Sequence, residues 1–182
     1  MAKLEIAILA GGCFWCTEAI FKRLKGVESY IPGYAGGSVP NPTYQQVCAG
    51  TTGHAEAVKI QFDPEIISYE KLLEIFWHTH NPTTLNKQGN DEGPQYRSAI
   101  FYHDEKQKET AEKSKEEIEQ SGIYSNPIVT EIVPFTNFYE AEDYHKNYYD
   151  NNRNQGYCSF VIDPKIHKLL SEFSKEVKDE YK

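Results

Sequence analysis

The first two dozen residues fix a strand–turn–helix corner. Leu4–Ala10 is an unbroken apolar run, which reads as a buried strand. Gly11-Gly12 break it, and Cys13-Phe14-Trp15-Cys16-Thr17-Glu18 open a helix expected to run from Cys13 to Leu24 and to end near Gly26. A cysteine at such a junction lies near unpaired backbone N–H groups and the positive end of the helix dipole. Both favour the thiolate, which is the reactive form. Two glycines let the chain turn tightly there and let another molecule come close. Phe14 and Trp15 add two large aromatic side chains beside the thiol.

The rest of the chain alternates in type. Val27–Tyr34 reads as a second strand. Ala35–Tyr44 has the glycines, prolines and asparagine of a loop, and Gln45–Thr52 continues it without a period. From His54 to Phe62 the pattern alternates. His54, Glu56, Val58, Ile60 and Phe62 share one face; Ala55, Ala57, Lys59 and Gln61 share the other. The first face is the more apolar, so Glu56 is expected to point toward the core. Ser68 is placed to cap a helix with the stripe Tyr69, Leu72, Leu73, Phe76 and Trp77, which stops before Asn81-Pro82.

Asn86–Pro94 reads as loop and Tyr96–Tyr102 as strand. Asp104 caps a charged helix that stops at Gly122, with Glu109 and Lys113 at a supportive i,i+4 spacing. Ile128–Val133 is a strand, Ala141–Tyr149 a short helix and Asn151–Tyr157 an aperiodic, mobile loop. Pro164–Glu180 is a last helix burying Ile166, Leu169, Leu170, Phe173 and Val177. This β-α-β-β-α-β-like order predicts one α+β domain over residues 1–182, with helices on a mostly antiparallel sheet and long loops.

Composition narrows the function. A net charge of −8 argues against a nucleic acid or anionic membrane as partner. No segment approaches the roughly 18 apolar residues that span a bilayer, and the N-terminus lacks a signal-peptide layout, so a cytoplasmic protein is expected. Four cysteines in such a chain point to catalytic, metal-binding or buried thiols before a disulfide framework.

Cys13 and Cys16 form a Cys-x-x-Cys. It supports three readings: half of a zinc site, a thioredoxin-type redox pair, or a single nucleophile at Cys13 with Cys16 auxiliary. The other cysteines and His54, His78 and His80 lack metal-ligand spacing, and a thioredoxin-like motif usually holds Gly-Pro, not Phe-Trp, between its cysteines. Glu56 is a candidate general acid, because a carboxyl facing a low-dielectric core keeps its proton toward neutral pH. Tyr34, Tyr44 and Tyr96 lie in or beside glycine-rich loops, where phenol O–H groups suit a small polar acceptor. Asp91 has the sequence of a turn former. Cys48 reads as a buried structural thiol. Cys158, beside a polar aperiodic segment, suits the resolving thiol of an oxidised nucleophile. The six histidines show no catalytic constellation and default to structural roles.

Gly11-Gly-Cys-Phe-Trp-Cys-Thr-Glu18 resembles the signature of the A-type peptide methionine sulfoxide reductases. So, in order and spacing, do Tyr30–Gly37, Asn41–Tyr44, Thr52–Val58, Gln88–Asp91, Gln95–Ile100, Ala141–His145 and Gly156–Cys158. The resemblance covers roughly residues 4 to 162, with the C-terminal helix of about 164–180 beyond it.

The resemblance implies a ferredoxin-like α/β plait with no bound metal or organic cofactor. It implies reduction of the S epimer of methionine sulfoxide, free or in proteins. Cys13 would attack the sulfur, Phe14 and Trp15 receive the methyl group, Glu56 protonate the departing oxygen, and Tyr44 and Tyr96 hold it. Asp91 and Tyr157 would belong to the substrate pocket. Cys158 would resolve the Cys13 sulfenic acid as a disulfide that thioredoxin, or another dithiol, reduces. A monomer is expected. The chain departs from many members by carrying Cys16 where they have glycine and by having no cysteine after Cys158. Cys16 therefore stands as an alternative resolving thiol.

Overall fold

The alternating stretch lies at the centre of a six-stranded sheet. The computed structural model describes residues 3–182. Its strands are β1 (Glu5–Gly11), β2 (Val27–Ala35), β3 (Ala55–Phe62), the two-residue pair β4 (Lys87–Gln88) and β5 (Asp91–Glu92), then β6 (Ser98–Tyr102), β7 (Glu131–Pro134) and β8 (Phe138–Glu140). Its helices are α1 (Phe14–Lys22), α2 (Tyr44–Cys48), α3 (Tyr69–Thr79), α4 (Glu105–Gln120), α5 (Tyr148–Asn151) and α6 (Asp163–Phe173). The sheet runs β7-β6-β1-β3-β2-β8. Among the described residues only β6 and β7 pair in parallel; every other neighbouring pair is antiparallel. This is a mixed α+β architecture.

The two faces of β1 and β3 bury different side chains. Ala7, Leu9, Val58, Ile60 and Phe62 join the large core made with α1 and α3, whose biggest member is Trp77. Ile8, Ala10, Ala55 and Ala57 join a smaller cluster with Ala99 and Phe101 on the opposite face. Glu56 is on the helix-covered side and only 1% exposed, as the alternation predicts. Ser68 caps α3 by accepting from the Lys71 N–H, and Asp104 caps α4 by accepting from the Gln107 N–H.

Several expected elements differ. The aperiodic residues after Thr43 wind into α2, because Thr43 and Gln46 form a capping box that satisfies both end amides. That single turn buries Val47 and leaves Cys48 exposed, contrary to the expected buried thiol. The loop at 86–94 contains the β4–β5 hairpin. Ala141–Tyr149 is not one helix: a 3₁₀ turn at Asp143–His145 is separated from α5 by Asn147 in the left-handed region at φ 55°. On α4 the surface pair that forms is Lys113–Glu117, one turn after the Glu109–Lys113 spacing. α6 ends at Phe173 rather than near residue 180, yet Val177 is still buried through an isolated bridge to Leu24.

The segment that leads to Cys158 is also not free. Gly156 and Tyr157 already turn helically, and Cys158–Ile162 form a π-helical turn that runs into α6. Just before it, residues 147–150 are clamped on α1. The Asn147 N–H donates to Glu18 Oε2 at 3.0 Å, Lys22 reaches Asn147 Oδ1 at 2.8 Å, and Arg23 reaches Asp150 Oδ1 at 2.7 Å.

Glu18 is 1% exposed, and burial pushes its carboxyl up to about 7. Between about pH 4.3 and 7 the folded chain holds a proton that an unfolded glutamate has released. The stability from this group is therefore full below about pH 4.3 and is lost as pH rises to 7. Glu18→Gln is expected to flatten the denaturant-midpoint profile between pH 5 and pH 8. A profile as steep as that of the unsubstituted chain would show that Glu18 does not set it.

Candidate active site

Cys13 is the residue before the first turn of α1, in non-helical backbone at φ −58° and ψ 126°. Its carbonyl accepts the Cys16 N–H at 3.1 Å, so the helix begins immediately after it. The Phe14 N–H, which would otherwise be a free helix-end donor, points at Glu56 Oε1 at 3.1 Å. Strand β3 and the start of α1 thus lock the carboxyl beside the thiol. Glu56 Oε2 is buried and has no partner. Burial pushes this carboxyl up to about 8, against the opposing pull of the Phe14 amide, so it carries its proton at neutral pH.

The two thiols of the Cys-x-x-Cys behave as one unit. Burial, reinforced by the Cys16 thiol and the negative charge of Glu56, pushes Cys13 up; the Trp15 N–H works weakly the other way. The S–H of Cys13 in turn holds Cys16 down to about 7, against its own burial, and Lys165 on α6 helps. One proton therefore leaves the pair near neutrality and the second only far above it. This corrects the expectation of a low-lying Cys13: at 7% exposure the burial cost outweighs the helix end, and the charge is held on the pair.

Aromatic side chains wall the thiol. Phe14 is fully buried, stacked on Tyr44 at 6.5 Å and tilted against Tyr34 at 5.7 Å. Trp15 is partly open and lies flat on Tyr148 at 3.6 Å, with Tyr157 edge-on at 5.7 Å. Burial raises the Tyr44 and Tyr96 phenols, and both feel the charge of Glu56; Tyr96 also feels Cys13 and Asp91. Both phenols stay protonated as hydrogen-bond donors. Tyr34 is instead buried, donating to Glu142 Oε1 at 2.9 Å, while Glu142 Oε2 accepts the Tyr44 N–H at 3.0 Å. Tyr34 braces Tyr44 and does not face the pocket.

The hairpin carries Asp91 to the same corner. Asp91 Oδ2 accepts the Tyr157 hydroxyl at 2.7 Å, and that hydroxyl is 3.8 Å from Cys16 Sγ. Gly12 makes the approach possible. Its φ is +95°, and a Cβ there would lie 2.6 Å from Gln88 Cγ on the hairpin. Gly12→Ala is expected to cost about 2 kcal/mol in denaturant unfolding, from left-handed strain and the forced contact. By shifting the hairpin it should slow the chemistry at Cys13 on the order of 10-fold or more. Wild-type stability and rate together would show that the close approach is dispensable.

The structure therefore brings Cys13, Phe14, Trp15, Cys16, Tyr44, Glu56, Asp91, Tyr96 and Tyr157 to one corner. Cys158 lies just behind it: fully buried, its thiol raised first by burial and then by the charge of Cys16. Sequence reading passed over His145. It is fully buried, accepts the Trp15 indole N–H on Nδ1 at 3.0 Å, packs on Phe14 and Tyr44, and leaves Nε2 unpartnered. Glu142 was missed as well; a carboxylate just before a 3₁₀ turn carries no signal of the two donors it meets. His54 and His80 fill structural roles, bonded to Gly37 N–H and Val39 O, and to Phe76 O and Ser98 Oγ. Among the described residues no three His, Cys, Asp or Glu side chains converge as a metal site requires, so the zinc half-site reading finds no second ligand pair. No described helix is long and apolar enough to cross a membrane.

Comparison with known proteins agrees with the geometry. The family profile described as peptide methionine sulfoxide reductase matches residues 5–178. The peptide methionine sulfoxide reductase MsrA of Sulfolobus acidocaldarius is 58% identical over 170 residues, covering 93% of this chain and 96% of that protein. The crystal structure of Mxr1 from Saccharomyces cerevisiae in reduced form superposes with a TM-score of 0.78 at 36% identity, covering 86% of this chain and 90% of that one. The same yeast protein in complex with Trx2 superposes with a TM-score of 0.56 at 26% identity, covering 80% and 85%.

Proposed function

This chain belongs to the peptide methionine sulfoxide reductase family, and from that premise we propose how its own residues carry the reaction. It is an oxidoreductase that reduces methionine sulfoxide to methionine, with thioredoxin as external reductant. The observation that carries the residue-level reading is the protonated Glu56 carboxyl, pinned through one oxygen and unpaired at the other, beside Cys13.

Substrate enters with its methyl group between Trp15 and the Phe14 floor and its oxygen toward Tyr44, Tyr96 and Glu56. As the pair loses its proton, the Cys13 sulfur attacks the sulfoxide sulfur. Glu56 gives its proton to the oxygen, which the two phenols hold. The S–O bond of the substrate is replaced by an S–O bond on Cys13: methionine leaves reduced and Cys13 becomes a sulfenic acid. Cys158 then closes a disulfide with Cys13, releasing water, and thioredoxin reduces it. Asp91 and Tyr157 shape the pocket wall.

The reading extends to the S epimer alone, because the methyl slot and the oxygen site flank Cys13 on fixed sides. It assigns the central β-α-β-β-α-β unit to the ferredoxin-like plait; the strand order β6-β1-β3-β2, all antiparallel, supports that assignment. It treats residues 1–182 as one catalytic domain and a monomer. The four free cysteines suit a reducing, cytoplasmic setting.

The test is turnover with thioredoxin, thioredoxin reductase and NADPH on the separated sulfoxide epimers. One NADPH per methionine with the S epimer, and no turnover above background with the R epimer, is expected. Equal rates on both epimers would remove the fixed-slot reading.

A further inference from the structure

The chemistry uses the floor of the corner and leaves its rim unused. On that rim Tyr144 is 58% exposed, although the next residue, His145, is fully buried. Phe160 is 84% exposed in the turn that buries Cys158 and Ile162 on either side of it. Gly156, four residues earlier and already helical, leaves that ring bare: a Cβ there would lie 3.9 Å from Phe160 Cδ2. Helical side chains lean toward the N-terminus, which lays the ring back toward Gly156 and Tyr157. The charges beside the two rings are paired. Lys146 lies 3.1 Å from Asp143 and 3.2 Å from Glu140, next to Tyr144. Arg153 lies 4.0 Å from Asp163, three residues after Phe160. What the rim offers is apolar surface.

The two exposed rings stand at the ends of one row. Ring centroids step 4.0 Å from Tyr144 to His145, 5.8 Å from His145 to Trp15 and 5.7 Å from Trp15 to Tyr157. Tyr157 to Phe160 is a helical step of three, about 5–6 Å between Cβ atoms. An extended chain rises about 3.3 Å per residue, so about six residues cover the whole row. Trp15, the wall of the methyl slot, is its middle.

We infer that Tyr144 and Phe160 are flanking subsites for a polypeptide substrate, and that this chain prefers methionine sulfoxide set between apolar residues. The inference rests on Cys13 and Trp15 as the place of reaction. A methionine sulfoxide within a polypeptide cannot enter the slot alone, because its chain leaves the mouth in both directions. The row puts each exposed ring within about three residues of the reacting side chain. Apolar residues at those positions cover Tyr144 on one side and Phe160 on the other, and water leaves both surfaces. A serine or a charged residue there covers the rings without that gain, and the paired charges give it no partner. Free methionine sulfoxide reaches neither ring.

The test is single turnover of the fully reduced chain, without external reductant and below saturation, on three substrates. One is free methionine-S-sulfoxide. The others are heptapeptides with the S-sulfoxide at the centre and either leucine or serine at the second and third positions on both sides. The leucine peptide should react at least about tenfold faster than the serine peptide. Tyr144→Ser and Phe160→Ser should each cut that advantage several-fold, and together abolish it. Every variant should keep its rate on free methionine-S-sulfoxide within about twofold, which also shows that it folds. Equal rates on the two peptides, or an advantage that survives both substitutions, would overturn the subsites. An equal loss on free sulfoxide and on peptide would mark a structural effect and overturn the assignment of that residue. A Phe160→Ser chain that keeps the leucine advantage but needs more thioredoxin to half-saturate would give Phe160 to the reductant and overturn its place in substrate binding. No methionine from free sulfoxide in the unsubstituted chain would instead remove the reading beneath.

Discussion

Cys13→Ser is expected to lower methionine release in a single turnover to below about one part in 10⁴ of the unsubstituted rate. A serine hydroxyl in the same place has no neighbour able to remove its proton: Glu56 is itself protonated there, and burial, already pushing the Cys13 thiol up, would press harder on an alkoxide. Losing the nucleophile also loses the sulfenic acid, so no later step can compensate. The substitution is nearly isosteric at a site that is 7% exposed, so the thermal midpoint should move by only a few degrees. An active Cys13→Ser chain, or one whose loss of rate merely follows unfolding, would contradict the assignment. Cys16→Ser, in contrast, should keep its first methionine. The two substitutions therefore separate a sulfoxide reductase from a general dithiol exchanger, in which both would fail together.

Glu56→Gln should slow the reductive step by about 10²- to 10³-fold, the usual worth of a placed general acid. Glutamine keeps an oxygen for the Phe14 N–H, so α1 still starts at the same residue and the start of the helix is preserved. What disappears is the proton on the second oxygen. The pH profile should show it. In the unsubstituted chain the single-turnover rate should rise as the thiol pair loses its first proton near 7 and fall as Glu56 loses its own near 8. Glu56→Gln should keep the rise and lose the fall. Iodoacetamide should still alkylate Cys13, because the carboxyl is not what makes the sulfur nucleophilic. An unchanged rate in Glu56→Gln would take this carboxyl out of the mechanism.

Much of this corner could be read from the residues in order. The face of β3 that buries Val58, Ile60 and Phe62 also had to bury Glu56, because side chains alternate along a strand. The glycines at 11–12 and the aromatics at 14–15 marked a turn that admits a ligand. Ser68 and Asp104 announced their helices by capping chemistry. The failures have a common cause: they depend on which distant segment comes to lie against the residue. No local pattern shows that residues 143–150 fold back over α1, so the contact of His145 with Trp15 and the two hydrogen bonds of Glu142 stayed hidden. The same distance effect inverted Cys13. The helix end, visible in sequence, favours its thiolate, but burial in the folded chain outweighs it. Asn151–Tyr157 lacks a period because it is short and polar, yet the turn that follows it is packed, and Cys158 with it. Thr43 and Gln46 form a capping box that the loop reading of 45–52 overlooked, and α2 was missed with it.

The measurement that tests the central claim most directly is a stoichiometric one. Fully reduced chain is mixed with excess methionine-S-sulfoxide without any external reductant, and methionine is counted against oxidised Cys13. About one methionine per chain, with Cys13 oxidised in every chain that has reacted, is the predicted result. Methionine released while Cys13 stays alkylatable, or no methionine at all, would contradict it.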